Sequence, residues 1–221
     1  CLNLIDKIIN SIQLIEFYKK GYFPMAENAI TNKINFYKPE KRFIIPIKNF
    51  HIPKKLFSEY KKNKYNFLIN KKFSEVINHC AKKRVQDNNT WINKTIINSY
   101  TQLFNYGFAK SIECYENEKL VGGLYGVHLG GCFFGESMFS IKKNTSKLAL
   151  LFLVSILKKE NFFLLDSQFF NKHLLQFGAY EITDTKYQEI LKSSVNKKCC
   201  FPSYLNFQKS ISVLQLTNHK S

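Results

Sequence analysis

Glu136 is a lone carboxylate between Gly135 and Ser137, inside an apolar run (residues 120–140) that holds six of the chain's nine glycines. A carboxylate there is costly unless something pairs with it, because burial strips its hydration. Glycine has no Cβ and lets a ligand or a second backbone approach closely, so the cluster predicts a bulged sheet lining a site. A tight hairpin with one solvated acid is the competing account. The second chemical stretch is Asp166-Ser167-Gln168, which ends an apolar run from Phe162. Strand alternation puts Asp166 and Gln168 on one face and turns Ser167 away, which argues against an Asp166–His173–Ser167 triad. A carboxylate beside an amide suits orientation of an amine nucleophile: the carboxylate polarises the amide, and the amide carbonyl holds the amine. A polar strand end satisfied by nearby backbone is the alternative.

Other chemistries lack their signatures. The five histidines (51, 79, 128, 173 and 219) show neither HExxH nor paired spacing, so no metal site is expected. The six cysteines have no zinc spacing and no disulfide framework, and idle thiols in a reducing cytosol account for them. Asn144-Thr-Ser-Lys opens a helix without the Gly-x-Gly turn that cradles a pyrophosphate, which argues against a coenzyme A acetyltransferase. Trp91, the only tryptophan, sits in a polar loop, where it either stacks on a base or anchors the loop on the core.

These residues need elements to hold them. A first unit, 1–46, has a helix carrying Ile8, Ile12, Leu14, Ile15 and Phe17, a stop at Gly21, and a short strand at Ile34–Tyr37. Pro46 and Pro53 bracket the passage into a second unit, 47–221. It opens with a helix at 54–62 whose Lys54, Lys61 and Lys62 share a face, either solvated or set against phosphates. Helices at 72–81 and 94–106 follow, then strands at 109–115, 120–128 and 131–139 and a helix at 144–158 capped by Asn144 or Thr145. A buried strand at 162–168, a helix near 171–176 and another after Asp184 complete an α+β, acyltransferase-like order.

At 221 residues the chain can bury a real core, and no apolar run is long enough to cross a membrane. Cys1 stands where a start Met would, which suggests a missing start; the first residues show no export signal, so the expected location is the cytoplasm. The formal charge of +17 points to a polyanion, yet Arg42 and Arg84 are the only arginines among the basic residues. A lysine-, asparagine- and isoleucine-rich mix is what an AT-rich genome writes, so part of that charge reads as drift.

Several segments together resemble the leucyl/phenylalanyl-tRNA–protein transferase family: Gly21-Tyr-Phe-Pro, Thr90-Trp-Ile-Asn, Ser111-Ile-Glu, Val121-Gly-Gly-Leu-Tyr-Gly-Val, Phe134-Gly-Glu-Ser-Met-Phe-Ser, Ser146-Lys, Leu165-Asp-Ser-Gln and Gly178-Ala. The resemblance runs from about residue 14 to 195 and implies a small N-terminal α/β domain on a Gcn5-type acetyltransferase-like domain. It implies transfer of Leu or Phe, and Met less well, from aminoacyl-tRNA to the N-terminal Lys or Arg of acceptor proteins, which marks them for degradation, by a monomer without cofactor. Asp166 and Gln168 match the family's proton-handling pair, and Glu136 its acid near the acceptor amine. Leu124, Phe133, Met138, Leu150, Leu153 and Leu165 match the aminoacyl pocket, Trp91 an aromatic on the terminal adenosine, and Lys54 and Lys62 part of the tRNA-binding patch. Met25 replaces a family tryptophan, and Leu124 and Leu153 stand where Met and Phe occur. Phe133 and Met138 differ in parity, so for both to reach one pocket the strand must bulge, and Gly135 is the natural place. Two other accounts compete: an acyltransferase of this fold with another carrier, and a basic RNA-binding protein without catalysis. The latter leaves Glu136 and the Asp166–Gln168 pair unexplained.

Overall fold

A computed structural model describes residues 8–31, 33–82 and 90–216. Cys1 and the N-terminal stretch read for an export signal, Arg84, and His219 lie outside them.

Helix α1 (Ser11–Lys19) begins where the Asn10 side chain accepts from the Gln13 N–H at 3.1 Å. It ends before Gly21, whose φ of +84° suits glycine. Its inward face is Leu14 and Tyr18; Ile12, expected inside, is 74% exposed. Strands β1 (Phe23–Ala26) and β2 (Ile34–Tyr37) form a separate antiparallel pair.

A seven-stranded sheet follows among the described residues. It comprises β3 (Lys41–Ile45), β4 (Asn66–Ile69), β5 (Ala109–Glu116), β6 (Lys119–Leu129), β7 (Cys132–Ser140), β8 (Leu164–Asp166) and β9 (Tyr180–Thr183). Their spatial order is β4-β5-β6-β7-β8-β3-β9, antiparallel except for the parallel β7–β8 pair. β3, assigned by sequence to the small N-terminal unit, therefore lies inside the large sheet.

Strands β6 and β7 are apolar on both faces, and helices cover both. Helix α5 (Thr145–Lys159), buried throughout Leu148–Leu157, fills one face with α2 (Lys54–Lys61) and α7 (Phe207–Gln215). The other face takes α1, α3 (Phe73–Lys82), α4 (Lys94–Asn105) and α6 (Asp184–Val195). The architecture is α+β around a mixed sheet.

Three local expectations change. The strand read over 162–168 stops at Asp166, because Gln168 adopts the left-handed φ of +68°. The helix near 171–176 is a short 3-10 turn, Lys172–Phe177. Asn144 occupies the start of α5 but is left-handed and caps nothing with its side chain; Ser140 Oγ accepts from the Ser146 N–H at 2.9 Å instead.

Candidate active site

The pairing of β6 with β7 runs Tyr125↔Ser137 and then Gly126↔Gly135, so Glu136 is the extra residue of a bulge. That resets parity: Met138 pairs with Leu124 and Phe133 with His128, and both side chains join the same core as Leu165. The parallel pairing of β7 with β8 ends at Phe134↔Asp166. Glu136 thus lies just past the last paired rung, where no neighbouring strand takes its place.

Three donors converge on its carboxylate. Tyr18 Oη and Gln168 Nε2 donate to Oε1 at 2.6 and 2.9 Å, and Tyr100 Oη donates to Oε2 at 3.1 Å. The two tyrosine hydroxyls also touch each other. Burial pushes the Glu136 carboxyl up to about 7; the Tyr18, Gln168 and Tyr100 hydrogen bonds pull the other way, and the charge on Asp166 adds to the rise. Burial, followed by the nearby Glu136 charge, holds both tyrosine hydroxyls protonated far above their ordinary range, so they remain donors.

Asp166 sits in a second cluster. Arg42 Nη2 and Nε reach its oxygens at 2.7 to 3.0 Å, Tyr187 Oη donates at 2.8 Å, and the Gln168 backbone N–H donates at 2.8 Å. Arg42 is 1% exposed, lies against the rings of Phe23 and Tyr187, and gives its remaining arm to the Gly21 carbonyl at 2.8 Å. Burial, the largest single influence, lowers the Arg42 pKa; Asp166 foremost, with Tyr187 and Glu136, more than reverses this.

The expected side-chain partnership of Asp166 with Gln168 is replaced by a different one. They meet through the Gln168 backbone N–H, while the Gln168 amide turns to Glu136. The physical reason is the left-handed backbone at 168, which breaks strand alternation. Ser167 Oγ donates to the Phe43 carbonyl at 2.9 Å, so it forms no triad with Asp166 and His173.

A cavity of about 600 Å³ opens beside Glu136. Its walls include Leu124, Met138, Leu150, Leu153 and Leu165, with Ile45, Leu174 and Phe177, which the sequence reading missed. Its polar part includes Glu136 and Asp166 together with Asn144, Lys147, Asn171 and His173. Phe133 is not on the wall: fully buried, it stacks on Phe201 with centroids 5.6 Å apart. Trp91 is 7% exposed and belongs to the buried cluster that includes Ile92, Ile96 and Tyr100, which favours the loop-anchoring alternative. Lys54, Lys61 and Lys62 are exposed at α2, and Glu59 of that helix accepts from Asn144 Nδ2 at the cavity at 2.8 Å.

Four residues of the two clusters were not read as functional: Tyr18, Tyr100, Arg42 and Tyr187. Tyr18 follows Leu14 by one helical turn, a signal obscured by the surrounding isoleucines. Arg42 was visible as one of two arginines in a lysine-rich chain.

A family model for leucyl/phenylalanyl-tRNA protein transferase matches residues 44–192. The leucyl/phenylalanyl-tRNA–protein transferase of Maricaulis maris is 42% identical over 183 residues, 83% of this chain and 85% of that protein. The protein of the same name from Zymomonas mobilis is 43% identical over 194 residues, 88% of this chain and 71% of its own. Among solved structures, L-PGS from Bacillus licheniformis is similar with a TM-score of 0.41 and 10% identity, over 93% of this chain and 69% of that one.

Proposed function

The chain belongs to the leucyl/phenylalanyl-tRNA–protein transferase family, and we propose that its apolar cavity and Glu136 form the centre where an aminoacyl ester meets an acceptor amine. It is an aminoacyltransferase, carrying an amino acid from tRNA to a protein. We assign Leu and Phe, and Met less well, as the cargo, and an N-terminal Lys or Arg as the acceptor, so that the product bears a degradation signal. The residues before β3 serve as a small N-terminal unit on a Gcn5-type acetyltransferase-like domain to which β3 itself belongs, and the protein acts as a cytoplasmic monomer.

The transferred side chain rests among Leu124, Met138, Leu150, Leu153 and Leu165, an apolar lining suited to a branched or aromatic group. Phe133 supports that wall from behind. The acceptor's α-amine attacks the ester carbonyl; a C–N bond forms and the C–O bond to the tRNA ribose breaks. The amine must lose a proton, and the ribose oxygen must gain one. The ester is already activated, so positioning and proton removal are what the protein has to supply.

Glu136 takes that proton. An ionised carboxylate offers about four acceptor positions. Among the described residues Tyr18, Tyr100 and Gln168 occupy three of them, which leaves a position on Oε2 for the amine. Its pKa of about 7 matches a base working near neutral pH. Asp166, expected to share the proton work with Gln168, has both oxygens occupied by Arg42, Tyr187 and the Gln168 backbone and is 0% exposed. We therefore give Asp166 a positioning role.

The observation that carries this reading is Glu136, held at the bulge beside an apolar cavity with one acceptor position unfilled. To test it, the protein is incubated with leucyl-tRNA and peptides beginning with Lys, Arg, Asp, Glu or Ala. The Lys and Arg peptides should gain the mass of one leucyl residue. Glu136→Gln should lower turnover about 100-fold or more, in line with loss of a general base. Turnover within a few-fold of wild type would remove Glu136 from the chemistry.

A further inference from the structure

Gln168 is a side chain with a Cβ held at φ +68°, a backbone region such residues seldom occupy. Something must hold it there, and one contact is the Asp166 Oδ1 that accepts from the Gln168 backbone N–H at 2.8 Å. Asp166 is itself fixed by Arg42 along the guanidinium edge and by Tyr187. Arg42 in turn is gripped by the Gly21 carbonyl and by the rings of Phe23 and Tyr187, with centroid distances of 4.7 and 4.4 Å. The downstream end is the Gln168 amide on Glu136.

We propose that Arg42 is a positioning residue for the transfer reaction, acting through Asp166 to keep Gln168 in the left-handed turn that delivers its amide to Glu136. This inference rests on the reading of Glu136 as the proton acceptor. It makes β3 and the Gly21–Phe23 segment part of the catalytic apparatus although neither touches the reacting atoms.

The side-chain chemistry requires arginine. A planar guanidinium can face a carboxylate along one edge, donate to a carbonyl from another arm, and offer two flat faces to aromatic rings. A lysine ammonium has the charge but neither the fork nor the faces. Lysine supplies nearly every other positive charge of this chain, and the buried site at 42 has the guanidinium.

The effect reaches Glu136 by a definite route. The groups around its carboxylate are Tyr18 from α1, Tyr100 from α4, Gln168 after β8, and the charges of Asp166 on β8 and Arg42 on β3. The Gln168 hydrogen bond favours the ionised form of Glu136, so losing it raises that pKa. The acidic limb of kcat/KM against pH then moves to higher pH.

The experiment compares Arg42→Lys, Gln168→Ala and the double variant with wild type, using leucyl-tRNA and a Lys-initiated peptide. Glutamine 15N labelling follows the Gln168 side-chain amide, assigned by its loss in Gln168→Ala. We expect the amide signal to move in Arg42→Lys, kcat to fall about tenfold or more, and KM for leucyl-tRNA to stay within about twofold. The acidic limb should shift upward in both single variants, and the double variant should match Gln168→Ala alone. An unmoved amide signal in folded Arg42→Lys overturns the inference, as do losses that multiply in the double variant. If Arg42→Lys does not fold, Tyr187→Phe decides: it keeps the ring but drops the hydroxyl on Asp166, and a wild-type amide signal and limb there refute the chain of contacts. Should Gln168→Ala leave the limb in place, the proton role of Glu136 fails, while the amide signal still judges Arg42.

Discussion

Glu136 makes the fold sensitive to pH in the direction opposite to most acids. In the unfolded chain it titrates near 4.5, whereas in the folded protein it titrates at about 7. Below both values it is protonated in either state. As pH rises between them the unfolded chain releases its proton first, so folding stability falls, and the loss is complete once pH passes 7. The size is about 3 kcal/mol, from the free energy that one pKa unit represents. Glu136→Gln should abolish that fall, alongside the roughly 100-fold or greater loss of turnover expected if it is the general base. Urea unfolding at pH 4.5 and pH 8 measures it: the variant should gain on wild type by about 3 kcal/mol at the higher pH. Equal pH dependence in the two proteins would mean that Glu136 is hydrated far more than its burial implies. On the proposed reading of Glu136 as the base, stability given up at one carboxylate is the cost of a group that titrates near neutrality.

At the scale of elements, the bulge in β7 is what puts Glu136 beside the cavity, and Gly126 across from it is what lets the bulge close. A Cβ on Gly126 would run into the Phe134 carbonyl oxygen and the Phe133 ring, both held by the sheet and core. Gly126→Ala should therefore cost about 1–3 kcal/mol of stability, as overpacking does, and reduce turnover more than the unfolded fraction explains. A variant with wild-type stability and rate would show that the bulge has slack. This feature was legible in the sequence: six crowded glycines and the unequal parity of Phe133 and Met138 called for a bulge near Gly135. Helices α3 to α6 and strands β5 to β7 were legible through apolar spacing for the same reason. β3 was not, since residues 41–45 fell at the end of the first unit, just before the passage bracketed by Pro46 and Pro53, while Arg42 is buried by a charge partner 124 residues away. Long-range pairs leave no periodic mark. Tyr18 and Tyr100 were hidden likewise, because a tyrosine at a core position looks the same whether its hydroxyl is idle or aimed at a carboxylate. Gln168 misled for a backbone reason: strand alternation says nothing of a left-handed residue just past the strand end.

The whole molecule carries a formal charge of +17, and what that charge does depends on where the lysines lie relative to the cavity. Helix α2 is joined to the cavity through Glu59 and Asn144, and Lys147 adds a positive group on the cavity itself. Lys54 and Lys61 on that helix and Lys62 at its end are exposed, with Lys61 Nζ 5.1 Å from the Phe57 ring centroid, and the proposed tRNA path runs over them. By contrast Lys192 in the last turn of α6 and Lys197 and Lys198 just beyond it are exposed near the Ser194 carbonyl, which accepts from the Gly131 N–H just before β7, at the opposite end of that strand from Ser140. If position matters, neutralising the two sets should have unequal effects. Each lost phosphate contact lowers the slope of log affinity against log salt by roughly 0.7 to 0.9, so replacing the three α2 lysines by Gln should flatten it by about 2 to 3. The α6 set should leave the slope almost unchanged, because charges more than a Debye length (about 8–10 Å) from the nucleic acid are screened. Trp91→Ala serves as a third arm: a buried anchor should lower thermal stability without changing the salt slope, whereas a stacking residue would weaken tRNA binding at constant stability. Filter binding of leucyl-tRNA across a salt series, with thermal unfolding of each variant, reads all three. Equal slopes for the α2 and α6 sets would make the charge a general property of the surface and move the tRNA path away from α2.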